Sequence, residues 1–205
     1  MITDINDLKI IIHRVNSLSR LKATPLCYGV EIDVRADGNR IILNHEPFRG
    51  GENLGEYLRN YKHSFIIFNI KEAGIEDKVI ELAKKYNIKD YFLLDVEFPY
   101  LYRAARDGVH NIAIRYSEEE SIETVLRYKG MVEWVWIDTN TTLPLDRTIT
   151  RKLSGFKTCL VCPERWGRPQ DIPLYMRKIK ELDFKLDAVM TNENYVEQWK
   201  QLYFI

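Results

Sequence analysis

With 205 residues, 45% of them apolar and 29% charged, the chain has the composition of a soluble globular protein with material for a sizeable core. Lysine plus arginine number 30, as do aspartate plus glutamate, so no net field favours nucleic acid or an anionic membrane as a partner. No apolar run approaches the roughly 20 residues of a membrane span, and the acidic start Met1-Ile2-Thr3-Asp4-Ile5-Asn6-Asp7 is unlike a signal peptide, so the expected location is cytoplasmic, without stable membrane insertion.

In chain order, short apolar β-rich runs alternate with amphipathic stretches. Strands are predicted at 8–13, 29–35, 64–70, 90–96, 110–116, 132–138, 157–162 and 187–191, with 41–45 as a short return after the second. Helices are predicted at 53–61, 75–87, 98–107, 120–129, 145–154, 171–182 and 194–203. Between the first two strands the helical pattern is weak, so the first helix should be short or missing. Eight strands with helices between most of them predict a compact α/β (β/α)8 TIM barrel formed as a single domain over 1–205, and no Gly-rich phosphate loop follows the first strand to suggest a doubly wound sheet. Three cysteines, Cys27, Cys159 and Cys162, cannot build a disulfide framework and fit a reducing compartment. Cys159 and Cys162 lie in one apolar run with no second pair to complete a zinc site, so they are expected to be core residues. His63 and His110 are expected to be structural or exposed.

In such a barrel the carboxyl ends of the strands carry the chemistry. Those ends hold His13 and Arg14; Glu31 and Asp33; His45; Asn69 and Lys71; Asp95; Arg115; Asp138; Glu164 and Arg165; Thr191 and Asn192. Glu31 and Asp33 alternate with Val30, Ile32 and Val34, so both acids project from one strand face and suit a hard cation such as Mg²⁺ or Ca²⁺. Asn69 could add a neutral oxygen, and Lys71 could meet a phosphate oxygen. His13 and His45 suit the two proton transfers of phosphodiester cleavage. Arg115 and Arg165 are expected as substrate contacts.

His13-Arg14, then Gly29-Val30-Glu31-Ile32-Asp33-Val34, then Asn44-His45-Glu46-Pro47 resemble the glycerophosphodiester phosphodiesterase family. The resemblance implies a TIM barrel, catalytic His13 and His45, Arg14 as a phosphate contact, and one divalent cation held by Glu31, Asp33 and a further acid. Phe68-Asn69-Ile70-Lys71 stands where the family has E-I-K, so Lys71 matches the family lysine and is expected to be catalytic with the two histidines, and Asn69 replaces the third acid. Val15 replaces the glycine after HR, and His13-Arg14-Val15-Asn16 is similar to the start of the related sphingomyelinase D enzymes. The short spacing from His45 to Asn69 leaves no room for the family's small helical insertion.

The expected function is therefore metal-dependent hydrolysis of a small glycerophosphodiester-like substrate, with no nucleic acid partner and the oligomeric state open. The competing class is a barrel that binds a phosphoryl ligand without catalysis, and Asp95 is the rival of Asn69 for completing the metal site. A sugar-modifying barrel using two acids would not need the histidines.

Overall fold

The computed structural model describes residues 8–201; the acidic start and the last positions of the predicted 194–203 helix lie outside them. Ile11–Ile112 form one compact unit, and the chain from Ala113 onward, with Lys9 and Ile10, forms another.

The Ile11–Ile112 unit takes in the end of β1 (Lys9–Ile12), α1 (Leu18–Ala23), β2 (Gly29–Asp37), β3 (Arg40–Leu43), β4 (Glu52–Asn53), α2 (Leu54–Arg59), β5 (Ile66–Ile70), α3 (Glu76–Lys85), β6 (Tyr91–Leu94) and α4 (Phe98–Arg106). Strand β2 is its centre. It pairs in parallel with β1 through Ile11↔Gly29 and with β5 through Asp33↔Asn69, and β5 pairs in parallel with β6. Val30, Ile32 and Val34 are fully buried, and so are the acids between them, as expected of a parallel strand covered on both faces. Gly29 is dictated by close approach: a Cβ there would stand 2.4 Å from Ile11 Cδ1 and 2.9 Å from the Phe65 carbonyl oxygen. Beyond the parallel core β2 continues into an antiparallel hairpin with β3, turning at Gly38 with φ +59°. This is the expected return after the second strand. The two-residue β4 pairs with β3, and its Asn53 falls at the start of the helix predicted over 53–61. The first helix, α1, is indeed short, capped by Ser17 Oγ accepting from the Arg20 N–H (3.2 Å). His63 is buried, its Nε2 2.9 Å from the Thr24 carbonyl, and His110 is exposed.

The second unit carries β7 (Ala113–Tyr116), α5 (Ile122–Leu126), β8 (Trp134–Ile137), α6 (Arg147–Leu153), β9 (Lys157–Val161), α7 (Ile172–Glu181), β10 (Ala188–Thr191) and α8 (Val196–Lys200). Its four strands are parallel in the order β7-β8-β9-β10, and the Lys9 N–H donates to the Asp187 carbonyl (2.9 Å). Cys159 and Cys162 are both buried in this sheet, as their apolar run predicted. Short 3-10 turns over Pro163–Trp166, Pro169–Asp171 and Glu193–Tyr195 were not anticipated; prolines at the starts of the first two preset the backbone for a turn but mark no periodic face. Among the described residues no helix is long and apolar enough to cross a membrane.

Candidate active site

The site residues expected from the first half of the chain lie in the Ile11–Ile112 unit. Glu31 and Asp33 are 0% and 1% exposed on β2. Each is held from the turn that follows β1. Arg14 adopts φ 55°, a left-handed conformation uncommon for a side-chain-bearing residue. That conformation aims its backbone N–H at Glu31 Oε2 (2.8 Å), while the next N–H, of Val15, donates to the Glu31 carbonyl (2.8 Å). His13 Nε2 lies 4.0 Å from the same Oε2, and the His13 side chain is 13% exposed. The other Glu31 oxygen accepts from Asn69 Nδ2 (2.8 Å). Burial first, then the charge of Asp33, pushes the Glu31 carboxyl up to about 7, opposed by Asn69, Arg14 and Lys71.

Asp33 is clamped by Asn16, whose Nδ2 donates to Asp33 Oδ2 (2.7 Å) while its Oδ1 accepts the Asp33 N–H (2.8 Å). Arg14 Nε stands 3.8 Å from Oδ2, and Lys71 Nζ stands 3.4 Å from Oδ1 and 3.5 Å from Asp95 Oδ2. Asn16 was not among the expected site residues. The only signal for it was its place three residues after His13, at the end of a motif read for its histidine. Asn16→Ala is expected to lower stability by about 1–3 kcal/mol, because it strips partners from a buried carboxylate and a backbone N–H; a urea midpoint against wild type measures it.

Arg35, the next outward position of β2, joins the remaining pieces. Its Nε and Nη2 donate to the His45 carbonyl (3.1 and 3.0 Å), and its Nη1 donates to the Lys71 carbonyl (2.9 Å). One planar guanidinium thus fixes the backbones of the loops bearing His45 and Lys71. The His45 ring is oriented by Glu46, with Nδ1 2.6 Å from Oε1, and is 34% exposed. The hydrogen bond with His45, first of all, holds the Glu46 carboxyl below its usual range.

Of the expected residues in the other unit, Arg115 is taken up by acids. Its Nη2 is paired with Asp138 Oδ2 and its Nε with Glu120 Oε1 (3.1 Å). The Arg165 guanidinium lies 5.7 Å from the ring centre of Trp166, whose indole N–H donates to Asp138 Oδ1 (3.2 Å). Glu164 accepts from Thr191 Oγ1 (2.6 Å) and the Asn192 N–H (3.1 Å), tying the ends of β9 and β10 together.

No family profile and no curated protein matches the chain. Solved structures do. A protein from Agrobacterium tumefaciens described as a glycerophosphoryl diester phosphodiesterase superposes with a TM-score of 0.67 at 12% identity, over 95% of this chain and 97% of that one. A glycerophosphoryl diester phosphodiesterase from Parabacteroides distasonis gives 0.59 at 12% identity, over 92% and 84%. The fold is an α/β (β/α)8 barrel, to which these structures are similar. Phosphoribosylanthranilate isomerase of Thermotoga maritima also superposes, at 0.54 with 13% identity over 96% of each chain. A glycerophosphodiesterase-type barrel is thus a scaffold shared with other chemistries, and function has to be argued from the site.

A hard cation needs oxygen donors, and Glu31, Asp33 and Asn69 supply them from paired positions of adjacent strands. Of those oxygens, Asn69 Oδ1 is buried without a hydrogen-bond donor, the condition of an acceptor suited to a cation, while Asp33 Oδ1 faces the Lys71 ammonium at 3.4 Å. Among the described residues no group of three His, Cys, Asp or Glu side chains forms a metal cluster, and position 69 carries an amide.

Proposed function

We propose that the chain is a phosphoric diester hydrolase acting on a small glycerophosphodiester-like substrate, with one divalent cation, Mg²⁺ or Ca²⁺, held by Glu31, Asp33 and Asn69. The supporting observation is the contact cluster of His13, Arg14, Glu31, Asp33, Asn69 and Lys71 on a glycerophosphodiesterase-type barrel. When bound, the cation supplies positive charge to the phosphoryl oxygens. Arg14 and Lys71 add charge from the protein and orient the phosphate. Glu46 keeps a proton on His45 Nδ1, leaving Nε2 to take the proton of the water whose oxygen attacks phosphorus. His13, 4.0 Å from Glu31 Oε2, gives its proton to the leaving alkoxide as the phosphorus–oxygen bond breaks. The exposed thiol of Cys27 and the odd cysteine count agree with a reducing, cytoplasmic setting.

Calorimetric titration of Mg²⁺ and Ca²⁺ into wild type and Glu31→Gln tests the cation site. Saturable heat in the first and none in the second is expected, and identical heats would remove the site. Asn69→Asp is expected to tighten cation binding by restoring a carboxylate, whereas Asp95→Asn leaves it close to wild type. The rival assignment, in which Asp95 is the missing acid, requires the reverse.

A second reading, a phosphoryl-binding barrel without catalysis, draws on a different feature of the same contacts. The amide of Asn69 and the cations Lys71 and Arg14 already neutralise the two carboxylates. It predicts phosphate binding that is insensitive to chelators and unaccompanied by turnover.

A further inference from the structure

The loops that lead into β5 and β6 meet at the amino ends of these strands. There the Ile66 N–H donates to the Asp90 carbonyl (3.1 Å), and Ser64 Oγ donates to the Cys27 carbonyl (3.2 Å). A cavity of about 270 Å³ lies at this place, and Tyr61, Lys62, His63, Asn87, Lys89 and Asp90 contribute to its lining. Ile66 begins β5, and Asn69 stands about 10 Å further along the strand, so the cavity is separate from the candidate catalytic groups. His63 is only 8% exposed, and its Nε2 lies 2.9 Å from the Thr24 carbonyl oxygen. A carbonyl can only accept, so Nε2 carries the ring proton and Nδ1 presents a lone pair. Among the described residues neither His63 Nδ1 nor Tyr61 Oη has a hydrogen-bond partner, although both atoms are buried. Their rings are neighbours, 5.7 Å between centres.

Buried polar atoms are costly to leave unpaired, and folded proteins leave few of them. Here an acceptor and a phenolic hydroxyl stand side by side on the wall of one cavity. Their complement is an alcohol group, which donates to Nδ1 and accepts from the Tyr61 O–H. The cavity far exceeds the roughly 30 Å³ of a single water and lies just below the roughly 300–1,000 Å³ usual for small-molecule sites. It is therefore sized for a small ligand. The other lining side chains extend the same chemistry: Lys62 and Lys89 only donate, the Asp90 carboxylate only accepts, and Asn87 does both. A molecule with several hydroxyls can satisfy all of them, whereas an anion would face Asp90 and the lone pair of Nδ1.

We infer that this cavity binds a neutral polyhydroxylated molecule, a sugar or an open-chain polyol, one hydroxyl of which bridges His63 Nδ1 and Tyr61 Oη. The inference stands apart from the phosphodiesterase reading and needs no cation. The probes are D-glucose and D-sorbitol, each titrated calorimetrically and followed by the ring-nitrogen resonances of His63 in a proton–nitrogen correlation spectrum. At least one of them is expected to bind and to shift Nδ1. Binding of glucose alone assigns a sugar, and binding of sorbitol alone assigns an open-chain polyol. Tyr61→Phe keeps the ring and removes only an unpartnered hydroxyl, so it is expected to weaken binding about fivefold to tenfold with an unchanged or raised urea midpoint. No binding of either probe overturns the inference and leaves the two groups to ordered water. Binding without a shift of His63, or equal binding by Tyr61→Phe, overturns it by placing the probe elsewhere. A shift of His63 produced by inorganic phosphate and by neither probe also overturns it, because the cavity would then be an anion site.

Discussion

Replacing His45 by Ala is expected to lower turnover of a glycerophosphodiester by about 10²–10⁴-fold while leaving the fold intact. The imidazole is one-third exposed, and it hydrogen-bonds the exposed Glu46, so little burial is lost with it. The backbone of the loop keeps its anchor, because Arg35 grips the His45 carbonyl rather than the ring. Loss of rate with unchanged KM would locate the effect in proton transfer, whereas a raised KM at constant kcat would make His45 a binding residue. His13→Ala should show a similar loss, but with some structural cost from removing a mostly buried ring beside Glu31. Unaltered rates in both variants would end the acid/base assignment.

The largest effect on stability is expected from Phe68→Ala. Phe68 is fully buried in β5, and its ring meets Tyr91 edge to face at 5.5 Å between centres. Emptying that volume should cost about 3–5 kcal/mol, against a total stability for a domain of about 5–15 kcal/mol. The urea midpoint should fall accordingly, while Phe68→Leu, closer in volume, loses much less. Because Asn69 follows directly on the strand, the alanine variant should also loosen the Asn69 bond to Glu31. A near-neutral midpoint would mean that β5 is not packed as described above.

The arrangement of strands was legible because each buried strand is a short apolar run bounded by polar residues, and runs such as 64–70 and 187–191 have few other physical explanations. Glu31 and Asp33 could be found for a related reason: acids alternating with valine and isoleucine project from one strand face, and a parallel strand is covered on both faces. Lys71 followed from the same alternation on β5. The supporting residues were hidden, since their roles depend on contacts between distant turns. Asn16 meets Asp33 across seventeen positions, and Arg35 meets Lys71 across thirty-six. No local period encodes such pairs. The occupation of Arg115 by Asp138 and Glu120 was equally invisible, because a strand-end arginine reads the same whether it faces a substrate or an acid. At position 69 the sequence specified an amide, but only the fold shows that its nitrogen turns to Glu31 and leaves its oxygen buried and unpaired.

The most direct measurement is release of alcohol from a glycerophosphodiester by wild type with Mg²⁺ or Ca²⁺, repeated with excess chelator and with Glu31→Gln. Turnover that requires the cation, stops on chelation and is lost in the variant is the predicted result. Turnover unchanged by chelation and by the substitution, or none with either cation, would contradict it.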